Sequence, residues 1–406
     1  MAEKRFLERV RLGLVLFGGL YLGAVILLAT PYFQSQWVSL ILDHERYLTT
    51  WQSAIYMNAI RLPLFAKFDT PEKYGLAPNK TLNLYINTPD NETLGAWFVL
   101  ADPYYQSLPE IPSELDTHVP ETLKRHPTVL FFHGNAATRA FKARILHYEA
   151  YSSRLGANVL AIDYRGFGDS TGKPSEPGLV TDARAAWDWL VAQGTKEEDI
   201  LIAGHSLGSG VAAQLAAQLS DEGHRSRGTV LLSPFSSIRE VLNTYHILGA
   251  VPLMKPLAMI PHIPDLVTWA LTHKFDSLGA VPRIKGSVLI SHAEDDWDIP
   301  HTHSRILFDA FLAPYLPPLV LPAGLQIPED KWATFWEQRD AWTAKRDEIL
   351  TRREIPHFGS VEKIERDGKK VVFVKTLAGG HDYLGLQEGV QDFMRTLFDF
   401  GPLRHA

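Results

Sequence analysis

The stretch ILIAGHSLG (200–208) passes from an apolar run into a G-x-S-x-G motif, and the alanine-rich segment VAAQLAAQL (211–219) follows it. A strand, a tight turn and a helix in this order present a serine at the carboxyl-terminal edge of a parallel sheet. Glycines on either side let neighbouring backbone approach without a Cβ clash. The stretch therefore predicts Ser206 as a nucleophile in an elbow formed with Gly204 and Gly208. The alternative is a serine that only caps a helix.

Short apolar runs recur on both sides of this motif and are typical of buried parallel strands. They occupy 128–134, 158–166, 200–206, 228–234, 287–296 and 371–379. Segments of helical composition, such as 179–193 and 207–219, separate several of them. The pattern predicts an α/β fold with a mostly parallel sheet and helices on both faces. Two earlier runs, 81–88 and 94–102, predict an antiparallel hairpin at one edge.

The loop after the first parallel strand contains His133, Gly134 and Asn135. In a sheet of this type that loop lies beside the nucleophile and supplies a backbone donor to a developing oxyanion. We expect the N–H groups of Asn135 and Leu207 to form the oxyanion hole. His133 is interpreted as structural. The glycine-rich loop DYRGFGDS (163–170) lacks a phosphate-binding motif and is interpreted as a scaffold that supports the oxyanion loop.

An acid and a base follow two later strands. The sequence SHAEDDWDIP (291–300) offers Asp295, Asp296 and Asp298 beside Glu294, and spacing alone does not choose among them. The loop after the last strand contains His381, preceded by two glycines that let the ring return over the sheet edge. A serine, an acid and a histidine in this chain order are what an α/β-hydrolase requires.

At these motifs the chain resembles the α/β-hydrolase superfamily from about residue 82 onward. HGN, DYRGFGDS, GHSLGSG, HAEDD and GGHD together are similar to the branch of membrane-bound monoacylglycerol and lysophosphatidylserine lipases, the α/β-hydrolase-domain-twelve type. The resemblance implies that the acid is the second aspartate of HAEDD, four residues before a proline. It selects Asp296, because Pro300 follows at that distance.

The N-terminal residues predict a membrane anchor. Residues 12–30 form an uncharged apolar stretch long enough to span a bilayer. Lys4, Arg5, Arg9 and Arg11 precede it, and Arg46 is the only such cation soon after it, so the positive-inside rule places the N-terminus in the cytosol. A cleaved signal peptide and a buried helix are the alternatives.

The predicted organisation is an anchor and cytosolic tail (1–30), a membrane-proximal segment (31–80) and a hydrolase domain (81–406). Within that domain, the apolar, proline-rich residues 236–282 predict a cap over the site, and ordinary core helices are the alternative. Residues 313–370 contain three tryptophans among many charges and predict a helical insertion.

Composition excludes several functions. The chain has 406 residues and a formal net charge of −6, which gives no electrostatic footprint for nucleic acid. It contains no cysteine, so disulfides and thiol chemistry are excluded. His301 and His303 are two residues apart but lack further clustered ligands, so we expect no metal, and we expect no cofactor.

These features predict a serine hydrolase that cleaves lipid carboxylic esters, such as a monoacylglycerol or a lysophospholipid, through an acyl-enzyme. The alternatives are a peptidase or short-chain esterase of the same fold and a non-enzymatic membrane interaction protein. The resemblance implies residence in the endoplasmic reticulum membrane with a lumenal catalytic domain. Glycosylation sequons at Asn79 and Asn91 agree with this placement. We have no expectation for the oligomeric state.

Overall fold

The computed structural model describes residues 56–244, 246–247, 251–252, 273–319 and 329–401. A compact unit begins at Tyr56, upstream of the domain start predicted at residue 81. Tyr56 is fully buried in its core. The predicted span at 12–30 lies outside the described residues, as does most of the predicted cap. None of the helices within the described ranges is both long and apolar enough to cross a bilayer.

A ten-stranded sheet forms the centre of this unit, in the order β1-β2-β4-β3-β5-β6-β9-β12-β11-β10. Its strands are β1 (Thr81–Asn87), β2 (Thr93–Val99), β3 (Thr128–Phe132), β4 (Asn158–Ile162), β5 (Ile200–His205), β6 (Gly228–Leu232), β9 (Val288–Ala293), β10 (Thr351–Ile355), β11 (Gly359–Arg366) and β12 (Lys369–Thr376). The strands from β4 to β12 in this order pair in parallel. At each edge, the two outer strands pair antiparallel with each other, and the second of them pairs antiparallel with the neighbouring inner strand. The predicted mostly parallel sheet and its β1–β2 hairpin are confirmed.

Helices cover both faces of the sheet. They are α1 (Asp102–Gln106), α2 (Val119–Arg125), α3 (Lys142–Arg154), α4 (Glu176–Ala192), α5 (Leu207–Glu222), α6 (Ile238–Thr244), α7 (Ser277–Ala280), α8 (Thr302–Leu312), α9 (Glu329–Ile349) and α10 (Glu388–Leu397). On one face α4, α5 and α8 pack into one hydrophobic cluster, and α3 and α10 pack into a second cluster on the other. In the predicted cap, α6 is followed by a separate pair of two-residue strands, β7 (His246–Ile247) and β8 (Val251–Pro252).

Burial on both faces explains why the central strands are apolar runs instead of alternating ones. In β3, Val129 and Phe131 belong to one cluster, whereas Leu130 and Phe132 belong to the other. All four side chains are buried. Burial of each such large side chain stabilises the folded state by about 1.5–3 kcal/mol. The central strands are therefore rigid supports for the loops at their ends.

The insertion predicted to be helical at 313–370 is helical only in part. After α9 the chain forms β10 and β11, which extend the sheet beyond β12. Asp367 and Gly368 close the β11–β12 hairpin with φ angles of 54° and 76°. An Asp-Gly pair favours this two-residue turn, because both positions need positive φ. The prediction failed because β10 and β11 are charged strands without a continuous apolar run.

Candidate active site

The G-x-S-x-G motif forms a strained turn between β5 and α5. Ser206 has φ 52° and ψ −121°, a conformation that costs an L-residue about 1–3 kcal/mol. A Cβ atom on Gly204 would lie 2.1 Å from the carbonyl oxygen of Gly208, and one on Gly208 would lie 2.0 Å from that of Phe132. Only glycine fits at either position. The turn places Ser206 directly before the N-terminus of α5, where the first backbone N–H groups lack partners within the helix.

The loop predicted to hold the oxyanion packs against this turn. A Cβ atom on Gly134 would lie 3.3 Å from Cβ of Ser206 and 3.1 Å from Nδ1 of His205. The buried guanidinium of Arg144 donates from Nη2 to the carbonyl oxygens of Gly134 and Ala136, at 2.9 and 2.6 Å. It also donates to the carbonyl oxygen of Asn135 at 3.2 Å. One cation therefore fixes three successive peptide groups beside the serine.

Asp163 supports the same loop through hydrogen bonds from His133 and Arg139. Its carboxylate accepts hydrogen bonds from Nε2 of His133 at 3.1 Å and from Nη1 and the backbone N–H of Arg139, both at 2.7 Å. His133, Arg139 and Asp163 are all completely buried. Breaking a buried ion pair of this kind typically costs about 3–5 kcal/mol. His133 thus has the structural contacts predicted for it.

Of the candidate acids, Asp296 lies against the imidazole of His381. Nδ1 of His381 donates to Oδ2 of Asp296 at 2.8 Å. The other oxygen, Oδ1, accepts the backbone N–H groups of Asp298 and Ile299 at 3.0 and 2.9 Å. This pair of N–H bonds fixes the carboxylate so that one oxygen remains for the histidine.

Asp295 has a different contact. Its carboxylate accepts the backbone N–H of Gly380 at 2.7 Å and that of Gly379 at 3.3 Å. It therefore holds the loop that carries His381, while Asp296 holds the ring. This division of contacts distinguishes two aspartates that the sequence left as alternatives.

Electrostatics favour an ionised Asp296 beside a basic His381. Burial alone would raise the pKa of Asp296, but hydrogen bonds from His292 and His381 outweigh it, and the pKa falls below its usual range. Burial alone would lower the pKa of His381, but the hydrogen bond and the charge of Asp296 raise it above 6.5. A carboxylate that stabilises the imidazolium assists proton transfer from a hydroxyl.

His292 places a second imidazole on the same carboxylate, and no sequence motif indicated it. Its Nε2 lies 3.2 Å from Oδ2 of Asp296 and 2.8 Å from the carbonyl oxygen of Ile299. Its Nδ1 lies 2.6 Å from Oγ of Ser304 at the start of α8. His292 is completely buried. It joins the acid to the helix behind it and helps to keep the carboxylate ionised.

His205, the residue before Ser206, was likewise not among the site residues predicted from the sequence. Its Nε2–H donates to the backbone carbonyl of His381 at 2.8 Å, and Oγ of Ser233 donates to the same oxygen at 3.3 Å. The rings of His205 and His381 are 4.9 Å apart between centroids. Burial, followed by the charges of His381 and His147, lowers the pKa of His205 well below 6.5. A neutral His205 thus connects the elbow to the loop that carries the base.

The two-residue spacing of His301 and His303 raised the question of a metal site. His301 directly precedes α8, and His303 lies in its first turn. Nδ1 of His303 is 2.9 Å from Oγ of Ser236. In the ranges that the structure describes, no group of three His, Cys, Asp or Glu side chains is placed to hold a metal ion.

Two substitutions of His205 should distinguish the effect of its hydrogen bond from the effect of its side-chain volume. His205→Leu removes the donor to the His381 carbonyl, and we expect the rate at which a fluorophosphonate labels Ser206 to fall about tenfold. His205→Gln retains an N–H donor and should recover much of that rate. Melting temperatures measured in parallel report stability. Equal labelling rates for the two variants, or a loss of stability alone, would show that the hydrogen bond does not position the base.

The pH dependence of labelling should report the Asp296–His381 pair. Because His381 must be neutral to accept a proton and its pKa is raised, labelling should increase with pH through a midpoint above 6.5. Asp296→Asn should lower that midpoint and slow labelling by about 10³–10⁴-fold. Asp295→Asn is the matched control, since it changes a carboxylate that contacts only the loop backbone, and it should leave the midpoint unchanged. The reverse result would assign the acid to Asp295.

Comparison with known proteins places this site in a family. The model of the alpha/beta hydrolase family matches residues 129–395. The chain is 32% identical over 262 residues to lysophosphatidylserine lipase ABHD12 of Rattus norvegicus, covering 63% of this chain and 62% of the relative. It is 31% identical over 310 residues to the protein of that name in Xenopus tropicalis, covering 74% and 72%. The chain thus spans less than two thirds of the rat relative.

A solved structure agrees at the level of the fold. The crystal structure of an alpha-beta hydrolase from Vibrio vulnificus superposes with a TM-score of 0.54, covering 88% of this chain and 94% of that one. The sequence identity is 16%, so this likeness concerns the fold alone. Taken with the family match, which includes Ser206, Asp296 and His381, it leads to one assignment: this chain belongs to the alpha/beta hydrolase family.

Proposed function

We propose that the chain is a serine hydrolase that cleaves lipid carboxylic esters, with a lysophospholipid or a monoacylglycerol as substrate. The observation that carries the proposal is the 2.8 Å hydrogen bond between Asp296 and His381. The loop that contains His381 is held at the Ser206 elbow by a hydrogen bond from His205. An ionised carboxylate behind an imidazole gives a serine hydroxyl the base that it needs. The relatives named lysophosphatidylserine lipase support a lipid substrate.

The proposed reaction is a two-step acyl transfer. His381 accepts the Ser206 proton while Oγ forms a bond to the ester carbonyl carbon, and Asp296 stabilises the imidazolium that results. The backbone N–H groups of Asn135 and Leu207 bind the oxyanion at the N-terminus of α5. The tetrahedral intermediate then expels the alcohol, which takes the proton from His381.

The second step reverses the proton transfers. Water attacks the acyl-enzyme carbonyl and gives a proton to His381, which passes it to Oγ of Ser206 as the fatty acid leaves. Removing one oxyanion-hole donor in related chemistry costs about 10²–10³ in rate, so the loop held by Arg144 contributes strongly to the proposed catalysis. No metal or cofactor takes part in this scheme.

A substrate panel tests the proposal. The purified full chain should release fatty acid from lysophosphatidylserine or monoacylglycerol faster than it cleaves a short peptide or a short-chain nitrophenyl ester. Ser206→Ala should lower turnover by at least about 10⁴-fold. Ser153→Ala, which changes a serine on α3, is the matched control and should retain activity. Cleavage of peptides without release of fatty acid would favour the peptidase, and no labelling of wild-type protein by a fluorophosphonate would leave the non-enzymatic alternative.

We also propose that residues 12–30 anchor the chain in the endoplasmic reticulum membrane, with the N-terminus in the cytosol and the hydrolase domain in the lumen. The cation asymmetry around residues 12–30 supports this orientation. Both sequon asparagines, Asn79 and Asn91, are exposed. Asn91 lies in the β1–β2 turn with φ 65°, a position that an oligosaccharide transferase can reach.

Glycosylation tests this orientation. Expressed in cells that glycosylate lumenal proteins, the wild-type chain should migrate faster after enzymatic deglycosylation. Asn79→Gln and Asn91→Gln should each remove one part of that shift, because each destroys one acceptor. Asn87→Gln changes an exposed asparagine outside any sequon and should have no effect. A chain that migrates unchanged after deglycosylation, beside a modified reference protein, would contradict lumenal placement.

A further inference from the structure

The segment 57–65 presents large apolar side chains to solvent beside the candidate active site. Phe65 is 95% exposed and Leu64 is 70% exposed, and Ile60 and Leu62 are exposed as well. The segment starts directly after Tyr56, whose side chain is completely buried. A segment that leaves the core at one residue and exposes several apolar residues at the next few is a candidate interaction surface.

Hydrogen bonds fix this segment to the loop that carries Asn135. The carbonyl oxygen of Ile60 accepts the backbone N–H of Ala137 at 2.7 Å, and that of Leu62 accepts the N–H of Thr138 at 3.0 Å. The hydroxyl of Thr138 donates to the same Leu62 oxygen at 3.1 Å. The exposed side chains are therefore held at the mouth of the site by regular backbone contacts.

Two exposed aromatic side chains lie on the other loops of the site. Trp297, which is 74% exposed, follows Asp296. Tyr383, which is 59% exposed, follows His381 by two residues. Both come after parallel strands, β9 and β12, whose carboxyl ends share one edge of the sheet with that of β3. The loops that carry Asp296 and His381, and the segment bound to the 137–138 backbone, thus carry exposed apolar groups at the same edge.

We infer that Ile60, Leu62, Leu64, Phe65, Trp297 and Tyr383 form a rim that contacts the surface of a phospholipid bilayer. Tryptophan and tyrosine favour the membrane–water interface, because their rings are apolar at one end and polar at the other. Aliphatic side chains and phenylalanine gain free energy by entering the acyl boundary. The inference rests on the proposed function, since a lipid substrate must pass from a bilayer to Ser206.

The position of the predicted anchor favours a bilayer as the occupant. Residues 12–30 precede the rim in the chain, and residues 31–55 separate the anchor from Tyr56. Fully extended, such a connection spans at most about 80–90 Å, so a bilayer that holds residues 12–30 would be within reach of the rim. A rim around the site would let the ester group of a lysophospholipid reach the serine while its acyl chain remains shielded from water.

Site-specific fluorescence tests the contact directly. The chain has no cysteine, so a single introduced cysteine can be labelled alone. The full-length Phe65→Cys variant, labelled with an environment-sensitive nitrobenzoxadiazole dye and reconstituted in phosphatidylcholine vesicles, should show blue-shifted emission. Lipids spin-labelled in the acyl chain should quench it. Glu198→Cys is the matched control, because Glu198 is exposed just before β5 at the opposite edge of the sheet, and its dye should report water.

A kinetic test separates the rim from the catalytic groups. The double variant Leu64→Ser/Phe65→Ser should hydrolyse lysophospholipid presented in vesicles about tenfold more slowly, because two large side chains no longer enter the lipid. Its hydrolysis of a water-soluble short-chain ester should be unchanged. Ile111→Ser alters an exposed apolar residue before β3, away from the site, and should affect neither reaction.

The outcomes distinguish the two proposals. A dye at residue 65 that reports water in vesicles overturns the rim, and so does one already shielded before lipid is added, because the protein itself would then cover the segment. Equal losses on vesicle and soluble substrates would also overturn it, since the variant would have damaged catalysis. A wild-type chain that hydrolyses neither ester would refute the proposed function, while the fluorescence result would still decide membrane contact.

Discussion

Close approach of backbone to backbone at the β5–α5 turn is the constraint on which the rest of the site depends. Gly204 and Gly208 lie so near to neighbouring carbonyl groups that no side chain fits at either position. Ser206 consequently adopts a left-handed conformation that the packed strands on both sides maintain. Because β3 lies beside β5, the same packing brings Gly134 so near to the serine that an added Cβ atom would lie 3.3 Å from Cβ of Ser206. The strained conformation and the oxyanion loop are thus two results of one packing arrangement.

Around this turn, three imidazoles contact Asp296 or the loop that carries His381. His381 and His292 both approach Asp296, whereas His205 holds the backbone of the His381 loop. Burial keeps His205 neutral, so it adds a donor without adding a charge. Two imidazole contacts on one carboxylate keep it ionised in spite of burial, which would otherwise favour the protonated acid. The charge of the site is therefore concentrated on the side chain that stabilises the imidazolium.

The mostly parallel sheet and the position of Ser206 in a turn between a strand and a helix could be predicted from local sequence patterns. Such motifs are short, and their glycines are required sterically. The choice of Asp296 over Asp295 and Asp298 did not follow from spacing, since it depends on which carboxylate the Asp298 and Ile299 N–H groups fix. His205 gave no signal, because its contact with His381 joins residues far apart in the chain. The β11–β12 hairpin had an available signal in Asp367 and Gly368 that the surrounding charges obscured.

The outer strand β10 has a consequence for how the molecule behaves when crowded. An unpaired edge of a sheet offers N–H and C=O groups to any extended chain that meets it. In β10 that edge carries the exposed residues Arg352, Arg353 and Glu354. Aligning another extended chain along it would strip these charges of water. The sheet can therefore extend past its parallel strands and still end in an edge that disfavours pairing with a further chain.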